Sequence, residues 1–299
     1  MIFGWRKKLP KQSLLPLPVI PSPDRHGLAI AVIVKDEVQD LEEWIVFHAL
    51  QGVRHFYIYD NGSTDGTLDL VADLAKVWPI TSIPWVNFID EPSPQRLAFI
   101  HALTNFGADY RWMMFTDPDE FVFPIEGESI LDVLGTLDHL PTICLPWHMF
   151  GTSGHEERPG GLLTENYTLR APMPPGPESA KLLSYKTVVD PAEVAAAGTH
   201  RFVLKDGYIM FNDKGEEMDW SDWRNPKYAS ASKLQLNHYF TKSREDFEAK
   251  HARGRVSQSG AVLPKTALAR MEMIEKHTEE DRGIERFIAA TKAAMGTRA

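Results

Sequence analysis

The chain has 299 residues, 43% of them apolar and 24% charged, a composition typical of a soluble globular protein with one large domain or two small ones. Its formal net charge of −9 argues against nonspecific binding to nucleic acid, which needs a basic face. The single cysteine, Cys144, excludes an intramolecular disulfide and a zinc site built from cysteines.

Residues 1–26 are predicted to form a flexible, solvated tail. Its basic start, Arg6-Lys7-Lys8, is followed by an apolar stretch that Pro16 and Pro18 interrupt, and no small-residue cleavage site follows. No stretch of the chain approaches the ~20 apolar residues that a membrane-spanning helix needs. We therefore expect a cytoplasmic protein, with at most a weak peripheral contact to the inner face of the membrane through Trp5 and the basic cluster.

Strands and helices alternate in the next part of the chain. Continuous apolar runs predict buried parallel strands, and apolar residues at helical spacing predict the helices between them. The predicted elements are strands at 28–34, 55–59, 80–85 and 112–115, and helices at 41–51, 66–77 and 93–106. This alternation favours a doubly wound, mostly parallel, Rossmann-like α/β sheet with right-handed crossovers.

Three carboxylates follow the fourth strand. The apolar run ends in Asp117-Pro118-Asp119-Glu120, and Pro118 cannot continue a sheet ladder. Asp117 and Asp119 are therefore predicted at the carboxyl edge of a central strand, where ligands bind in open α/β sheets. Two such carboxylates suit Mg²⁺ or Mn²⁺ shared with a phosphate. A solvated acidic turn is the alternative, and Asp119 is expected to be exposed and to contribute little to the core.

The second half of the chain has a looser pattern. We predict a catalytic domain at 27–255 and a C-terminal helical extension at 256–299 packed on it. The charged C-terminal helices look like a scaffold cap rather than a site. The predicted strands are 142–147, 181–189, 201–208 and 234–240, and the predicted helices are 131–137, 245–253, 264–277 and 283–294.

Two further motifs have open interpretations. The turn after the second strand, Asp60-Asn61-Gly62-Ser63-Thr64-Asp65-Gly66, fails as a calcium loop because Ala72 stands where the last glutamate belongs. Asp60 either faces a nucleoside or only shapes the turn. His238 shares the buried face of a strand with Leu234 and Leu236, so it either binds a cation or makes a core hydrogen bond.

Known nucleotide and hydrolase fingerprints are missing. The sequence contains neither a P-loop nor a Gly-x-Gly-x-x-Gly dinucleotide motif. The glycine-rich turn Phe150-Gly151-Thr152-Ser153-Gly154-His155 lacks the Gly-x-Ser-x-Gly spacing of a hydrolase elbow.

Taken in order, the motifs resemble the family 2-like and family 92-like glycosyltransferases over about residues 28–253. One departure is Asp36, where an asparagine is usual before the glutamate. The stretches that carry the resemblance are 32–37, 41–48, 52–65, Gln95-Arg96, 112–121, 150–155, 186–191, 198–200 and 238–243.

The resemblance implies a GT-A fold and an inverting hexosyltransferase that uses a nucleotide-sugar, such as a UDP-sugar, with Mn²⁺ or Mg²⁺. Its acceptor would be a glycan, a polysaccharide or a lipid hydroxyl. The implied metal ligands are Asp117, Asp119 and His238. The implied donor-binding residues are Lys35, Glu37, Asp60, Asn61, Arg96, Asp117, Lys186 and Lys242. The candidates for the catalytic base are His155, Glu156, Glu157 and then Glu120.

Two other functions are compatible with these residues. A nucleotidyltransferase also combines a nucleotide with an Asp-x-Asp on an α/β sheet. A non-catalytic protein could keep the same fold and bind glycans or nucleotides.

Overall fold

The computed structural model describes residues 15–86, 93–252 and 265–296. The described strands are β1 (Leu28–Val34), β2 (Val53–Asp60), β3 (Ile80–Pro84), β4 (Trp112–Thr116), β5 (Glu120–Pro124), β6 (Thr142–Met149), β7 (Leu169–Arg170), β8 (Tyr185–Val189), β9 (Val194–Ala197), β10 (Phe202–Leu204), β11 (Leu234–His238) and β12 (Glu279–Glu280). The described α-helices are α1 (Leu41–Leu50), α2 (Thr67–Leu74), α3 (Pro94–Phe106), α4 (Ile130–Thr136), α5 (Leu163–Asn166), α6 (Arg244–Ala252), α7 (Lys265–Glu275) and α8 (Ile288–Gly296).

Eight strands form one sheet in the order β3-β2-β1-β4-β8-β6-β11-β5. Strands β3, β2, β1 and β4 are parallel to one another, and β6 and β11 run in the same direction. Strands β8 and β5 run the opposite way. Six of the eight strands therefore share one direction, which agrees with the predicted mostly parallel sheet.

The central strand β1 is buried on both faces, as its continuous apolar run predicts. Its even-numbered residues, such as Ile30 and Val32, belong to the core that also contains Trp44 of α1. Its odd-numbered residues pack in a second core with Phe99 of α3. Helices on both faces make the sheet doubly wound.

Several predicted bounds differ from the structure. The strand predicted at 181–189 begins only at Tyr185, because Ala180–Leu182 forms a 3-10 turn. The strand predicted at 201–208 is reduced to Phe202–Leu204. Strands β5, β7, β9 and β12 were not predicted. Helix α2 covers Thr67–Leu74 rather than 66–77.

The structure describes only the later part of the predicted N-terminal tail. Residues 1–14, including Trp5 and the basic cluster, lie outside the described residues. From residue 15 to Gly27 there is no regular element, yet Val19 is buried and Arg25 pairs with Asp190 of the domain. This later part is packed on the domain, in contrast to the expected solvated tail.

The C-terminal helices also pack on the domain. The ring of Phe287 lies edge-on to Phe47 of α1, with 5.8 Å between centroids. Strand β12 pairs with β7, and Arg170 there bonds Asp281 at 2.6 Å. Among the described residues, none of the helices combines the length and apolar character needed to span a bilayer.

Candidate active site

The sheet topology brings several polar residues to one edge. Strands β2, β4 and β11 are oriented alike, so Asp60, Asp117 and His238 all stand at or just beyond their carboxyl ends. Strands β5 and β8 run the other way and begin at this edge, which adds Glu120 and Lys186. This is the position at which open α/β sheets bind ligands.

Asp117 is held by two donors. The Lys186 ammonium lies 2.8 Å from its Oδ2 atom, and the amide of Gln95 at the start of α3 donates to Oδ1 at 2.7 Å. Burial alone would lower the pKa of Lys186, but Asp117 and Glu120 raise it. Lys186 is therefore a fixed positive charge at the sheet edge.

Asp119 is buried, and the expectation that it would be exposed is wrong. Its carbonyl oxygen accepts from the backbone N–H of Tyr239 at 2.9 Å, which draws the turn onto the end of β11. Its Oδ2 atom lies 2.5 Å from the Lys250 ammonium of α6, and its Oδ1 atom lies 3.6 Å from Nε2 of His238. Burial alone would raise the pKa of Asp119, but the Lys250 ammonium holds it well below its usual range.

Glu120 is completely buried. Its Oε2 atom accepts from the Thr116 hydroxyl at 2.7 Å and from the backbone N–H of Asp117 at 2.9 Å. Its backbone carbonyl accepts from the indole N–H of Trp44 at 2.7 Å. Burial raises the pKa of Glu120 to about 7, against the opposing effect of Lys186. With no exposed surface, Glu120 is poorly placed to take a proton from an acceptor hydroxyl.

His238 lies between Asp119 and Glu120. Its Nδ1 atom is 3.8 Å from Oε1 of Glu120, its partner in the β5–β11 register. The ring packs edge-on against Trp147 of β6, with 4.5 Å between centroids. Burial on the strand face agrees with the period-two pattern of the sequence, and the imidazole faces the carboxylates.

A divalent cation fits beside two of the three implied ligands. Two ligands that each lie ~2.0–2.3 Å from one cation are separated by about 3–4 Å, and Asp119 Oδ1 and His238 Nε2 are 3.6 Å apart. Both carboxylate oxygens of Asp117 are bonded, to Lys186 and Gln95, whereas Asp119 is bonded through Oδ2 to Lys250 and presents Oδ1 to His238. Among the described residues there is no preformed cluster of three carboxylate, histidine or cysteine side chains suited to a metal. The donor set thus suits a cation that phosphate oxygens would help to hold.

A second charged cluster lies at the start of α1. The Lys242 ammonium pairs with Asp40 and lies 3.8 Å from Glu37, and Arg158 also pairs with Asp40. Burial alone would raise the pKa of Asp40, but Lys242 and Arg158 lower it. Burial raises the pKa of Glu37. Lys242 and Glu37, two of the implied donor-binding residues, thus lie close together, whereas Asp40 and Arg158 were not foreseen.

The turn after β2 is built by Asp60. Its buried carboxylate accepts from the backbone N–H groups of Gly62, at 3.0 Å, and Ser63, at 3.3 Å. The backbone N–H of Asn61 donates to the carbonyl of Val34 at 2.8 Å, which joins the ends of β1 and β2. These bonds already give Asp60 a structural role as a turn residue, and its role toward a nucleoside stays a prediction.

The remaining donor-binding candidates flank this turn. Lys35 is half-buried just after β1, and Arg96 is buried in the first turn of α3. Asp36 has a left-handed backbone with φ of 54°, and its carboxylate accepts from Thr64 N–H at 2.7 Å. After glycine, asparagine and aspartate tolerate this conformation best, so the change from the usual asparagine keeps the local structure.

The base candidates after β6 lie on a turn at the same sheet edge. His155 Nε2 contacts the carbonyl of Asn166 at 3.2 Å, and Glu156 is exposed beside Arg244. Glu157 is exposed as well. The structure gives none of the three a contact with Asp117 or Asp119, so their catalytic role stays a prediction.

Sequence reasoning missed Lys250. It lies on α6, one of the charged helices interpreted as a scaffold cap, and its ammonium contacts the carboxylate of Asp119. A single lysine in a charged helix gives no local signal of this contact, which depends on how α6 packs.

Comparison with known proteins identifies the family. The model for glycosyltransferase family 92 matches residues 28–253. The chain belongs to glycosyltransferase family 92. This membership and the eight-stranded, mostly parallel sheet confirm the predicted α/β fold of GT-A type.

The relatives of this family 92 protein include plant proteins of the same family. It is 29% identical over 205 residues to RCOM_0530710 of Ricinus communis, covering 63% of this chain and 33% of the relative. It is 27% identical over 196 residues to Os08g0121900 of Oryza sativa subsp. japonica, covering 62% of this chain and 31% of the relative. The chain thus spans about a third of the length of the curated relatives that it matches.

Solved structures show weaker likenesses. Residues 1–349 of Staphylococcus aureus TarS give a TM-score of 0.39 at 16% identity, covering 82% of this chain and 70% of that one. A second likeness is to glucosyl-3-phosphoglycerate synthase of Mycobacterium tuberculosis in complex with Mn²⁺, UDP-glucose and phosphoglyceric acid. Its TM-score is 0.30 at 16% identity, and the match covers 56% of this chain and 58% of that one.

Proposed function

We propose that this family 92 protein transfers a hexose from a nucleotide-sugar, such as a UDP-sugar, to a hydroxyl group of a glycan, polysaccharide or lipid. The observation that carries the proposal is the pairing of Asp119 and His238, 3.6 Å apart, beside the Asp117–Lys186 pair at the carboxyl edge of the sheet. This arrangement offers two cation ligands and a fixed positive charge at the place where a diphosphate would lie.

Asp119 and His238 would hold Mn²⁺ or Mg²⁺, with Asp117 near the ribose and the metal. A divalent cation bound there would offset the negative charge that develops on the leaving diphosphate. Lys186 adds a positive charge that needs no reorganisation, because Asp117 and the surrounding strands already fix it.

The nucleoside would lie against the ends of β1 and β2. Asp60 and Glu37 are the proposed contacts, with Lys35 and Asn61 beside them. Arg96 and Lys242 are the further cations proposed to face the diphosphate. Since Asp40 already holds Lys242, this lysine would act as part of a charged cluster rather than as an isolated cation.

The acceptor hydroxyl would attack the anomeric carbon in a single displacement that inverts its configuration. A base must remove the hydroxyl proton, and it must be reachable from solvent. Glu156 and Glu157 on the exposed turn meet this condition, and His155 lies beside them half-buried. Glu120, completely buried, does not meet it.

The proposal is tested by calorimetry with a panel of nucleoside diphosphates and nucleotide-sugars, with and without Mn²⁺. We expect one nucleotide to bind tightly only when Mn²⁺ is present, and Asp119→Asn to lose that dependence. Asp69→Asn, an exposed carboxylate on α2, is the matched control and should behave as wild type. Equal nucleotide affinity with and without Mn²⁺ in the wild type would contradict the metal-assisted mechanism.

The reaction products separate the proposal from its two rivals. A glycosyltransferase releases a nucleoside diphosphate and moves the sugar to an acceptor. A nucleotidyltransferase instead releases pyrophosphate from a nucleoside triphosphate. A non-catalytic binding protein would bind the nucleotide-sugar without consuming it.

A further inference from the structure

The two carboxylate oxygens of Glu120 differ in their hydrogen bonding. Oε2 is fully occupied by the Thr116 hydroxyl and the Asp117 backbone N–H, with the Lys186 ammonium 3.5 Å away. Oε1 is buried and has no hydrogen-bond partner among the described residues. A buried carboxylate oxygen without a partner is costly, so it calls for an explanation.

His238 presents the complementary feature. Its Nδ1 atom is buried and also lacks a hydrogen-bond partner in the described part of the chain. This atom lies 3.8 Å from Oε1 of Glu120, and a shift of about 1 Å would bring the two to hydrogen-bond distance. The opposite ring nitrogen, Nε2, faces Asp119.

We infer that Glu120 is a positioning residue, whose Oε1 atom accepts a hydrogen bond from Nδ1–H of His238 and so leaves Nε2 unprotonated toward the cation position beside Asp119. The inference rests on the proposed function for the cation itself. It assigns Glu120 a role different from that of a catalytic base, since the carboxylate acts through His238.

The location of the imidazole proton follows from the competition between the two carboxylates. A neutral imidazole has one N–H group, so it can donate to Asp119 or to Glu120 but not to both. The Lys250 ammonium, 2.5 Å from Oδ2 of Asp119, already neutralises that carboxylate, whereas Oε1 of Glu120 has no donor among the described residues. The proton therefore belongs on Nδ1. A carboxylate that holds a ligating histidine in this way fixes its tautomer and its orientation.

Glu120→Gln tests the inference because it reverses the tautomer. The backbone N–H of Asp117 cannot turn away, so the amide oxygen of the glutamine must stay where Oε2 is now. The amide NH₂ group then faces Nδ1 of His238 and donates to it. The single imidazole proton moves to Nε2, the nitrogen that must be free to bind a cation.

The experiment is ¹⁵N–¹H correlation spectroscopy of the histidine side chains in metal-free protein, at a pH alkaline enough for neutral imidazole. His238→Asn identifies the signal. We expect Nδ1 to be protonated in the wild type and Nε2 in Glu120→Gln. Glu37→Gln, which removes another carboxylate at the same edge, is the matched control and should leave the wild-type pattern.

A wild-type His238 protonated only on Nε2 would overturn the inference, and so would a Glu120→Gln variant with the wild-type tautomer. The wild-type spectrum decides the question even if the variant does not fold. A second measurement is Mn²⁺ affinity in the presence of UDP, by electron paramagnetic resonance, which should fall by about tenfold to a hundredfold in Glu120→Gln. A wild type that shows Nδ1–H but no UDP-dependent Mn²⁺ binding would support the role of Glu120 while contradicting the proposed function.

Discussion

Replacing Lys250 by methionine removes the ammonium beside Asp119 and keeps most of the aliphatic stem. In the absence of a metal ion, this leaves a buried carboxylate without its nearest cation, at 2.5 Å in the native protein. The Lys250 side chain is 36% exposed, so the cost lies between that of an exposed pair and that of a fully buried one. We expect a loss of about 1–2 kcal/mol in the free energy of unfolding, or a few degrees in Tm.

The same substitution should strengthen metal binding. A cation that binds Asp119 must displace the Lys250 ammonium or share its position. Removing the ammonium should therefore strengthen Mn²⁺ binding by about 1.4 kcal/mol, which is roughly a tenfold gain in affinity. Saturating Mn²⁺ should therefore restore much of the lost stability.

Thermal unfolding with EDTA and with Mn²⁺, together with titration calorimetry, measures both effects. Lys292→Met is the matched control, because Lys292 forms an exposed pair with Glu165 and should change little under either condition. Equal destabilisation of Lys250→Met with and without Mn²⁺, at unchanged Mn²⁺ affinity, would refute competition between the ammonium and the metal ion.

Two further predictions concern a donor contact and the core. Asp60→Ala should weaken nucleotide binding by about 1–3 kcal/mol in calorimetry if a buried hydrogen bond to the ligand is lost, whereas unchanged affinity would leave Asp60 as a turn residue only. His48 is a buried neutral imidazole whose Nδ1 contacts the Trp44 carbonyl and whose Nε2 accepts from Val122 N–H. Burial lowers its pKa to about 3 from 6.5, so its contribution to stability is complete above pH 6.5 and is lost as the pH falls toward 3. Between pH 7 and pH 5 the denaturant unfolding free energy should fall by about 2 kcal/mol more in the wild type than in His48→Gln, and equal slopes would show that His48 does not titrate in this way.

The sequence predicts the parallel half of the sheet well because its signals are local. The apolar run of β1 can only be buried on both faces, and the prolines and glycines around it limit where helices begin and end. Pro118 likewise marks the point at which the chain leaves the sheet, so the position of Asp117 and Asp119 at the carboxyl edge follows from a few neighbouring residues.

The antiparallel strands and the contacts between site residues depend on pairing between segments that are distant in the sequence. Glu120 begins a strand only because β11, more than a hundred residues later, pairs with it, and this pairing places His238 opposite Glu120. The antiparallel direction of β8, which brings Lys186 to Asp117, has no local signature either. The contact between Asp119 and Lys250 arises in the same way, since only the packing of α6 brings the lysine to the site.

The measurement that tests the central claim most directly is a crystal structure with Mn²⁺ and UDP bound, with anomalous scattering recorded at the manganese edge. We predict one strong anomalous peak between Asp119 and His238, at ~2.0–2.3 Å from a carboxylate oxygen and from Nε2, with the diphosphate completing its coordination. A peak elsewhere, or a bound diphosphate with neither residue within ligand distance of the manganese ion, would contradict the account.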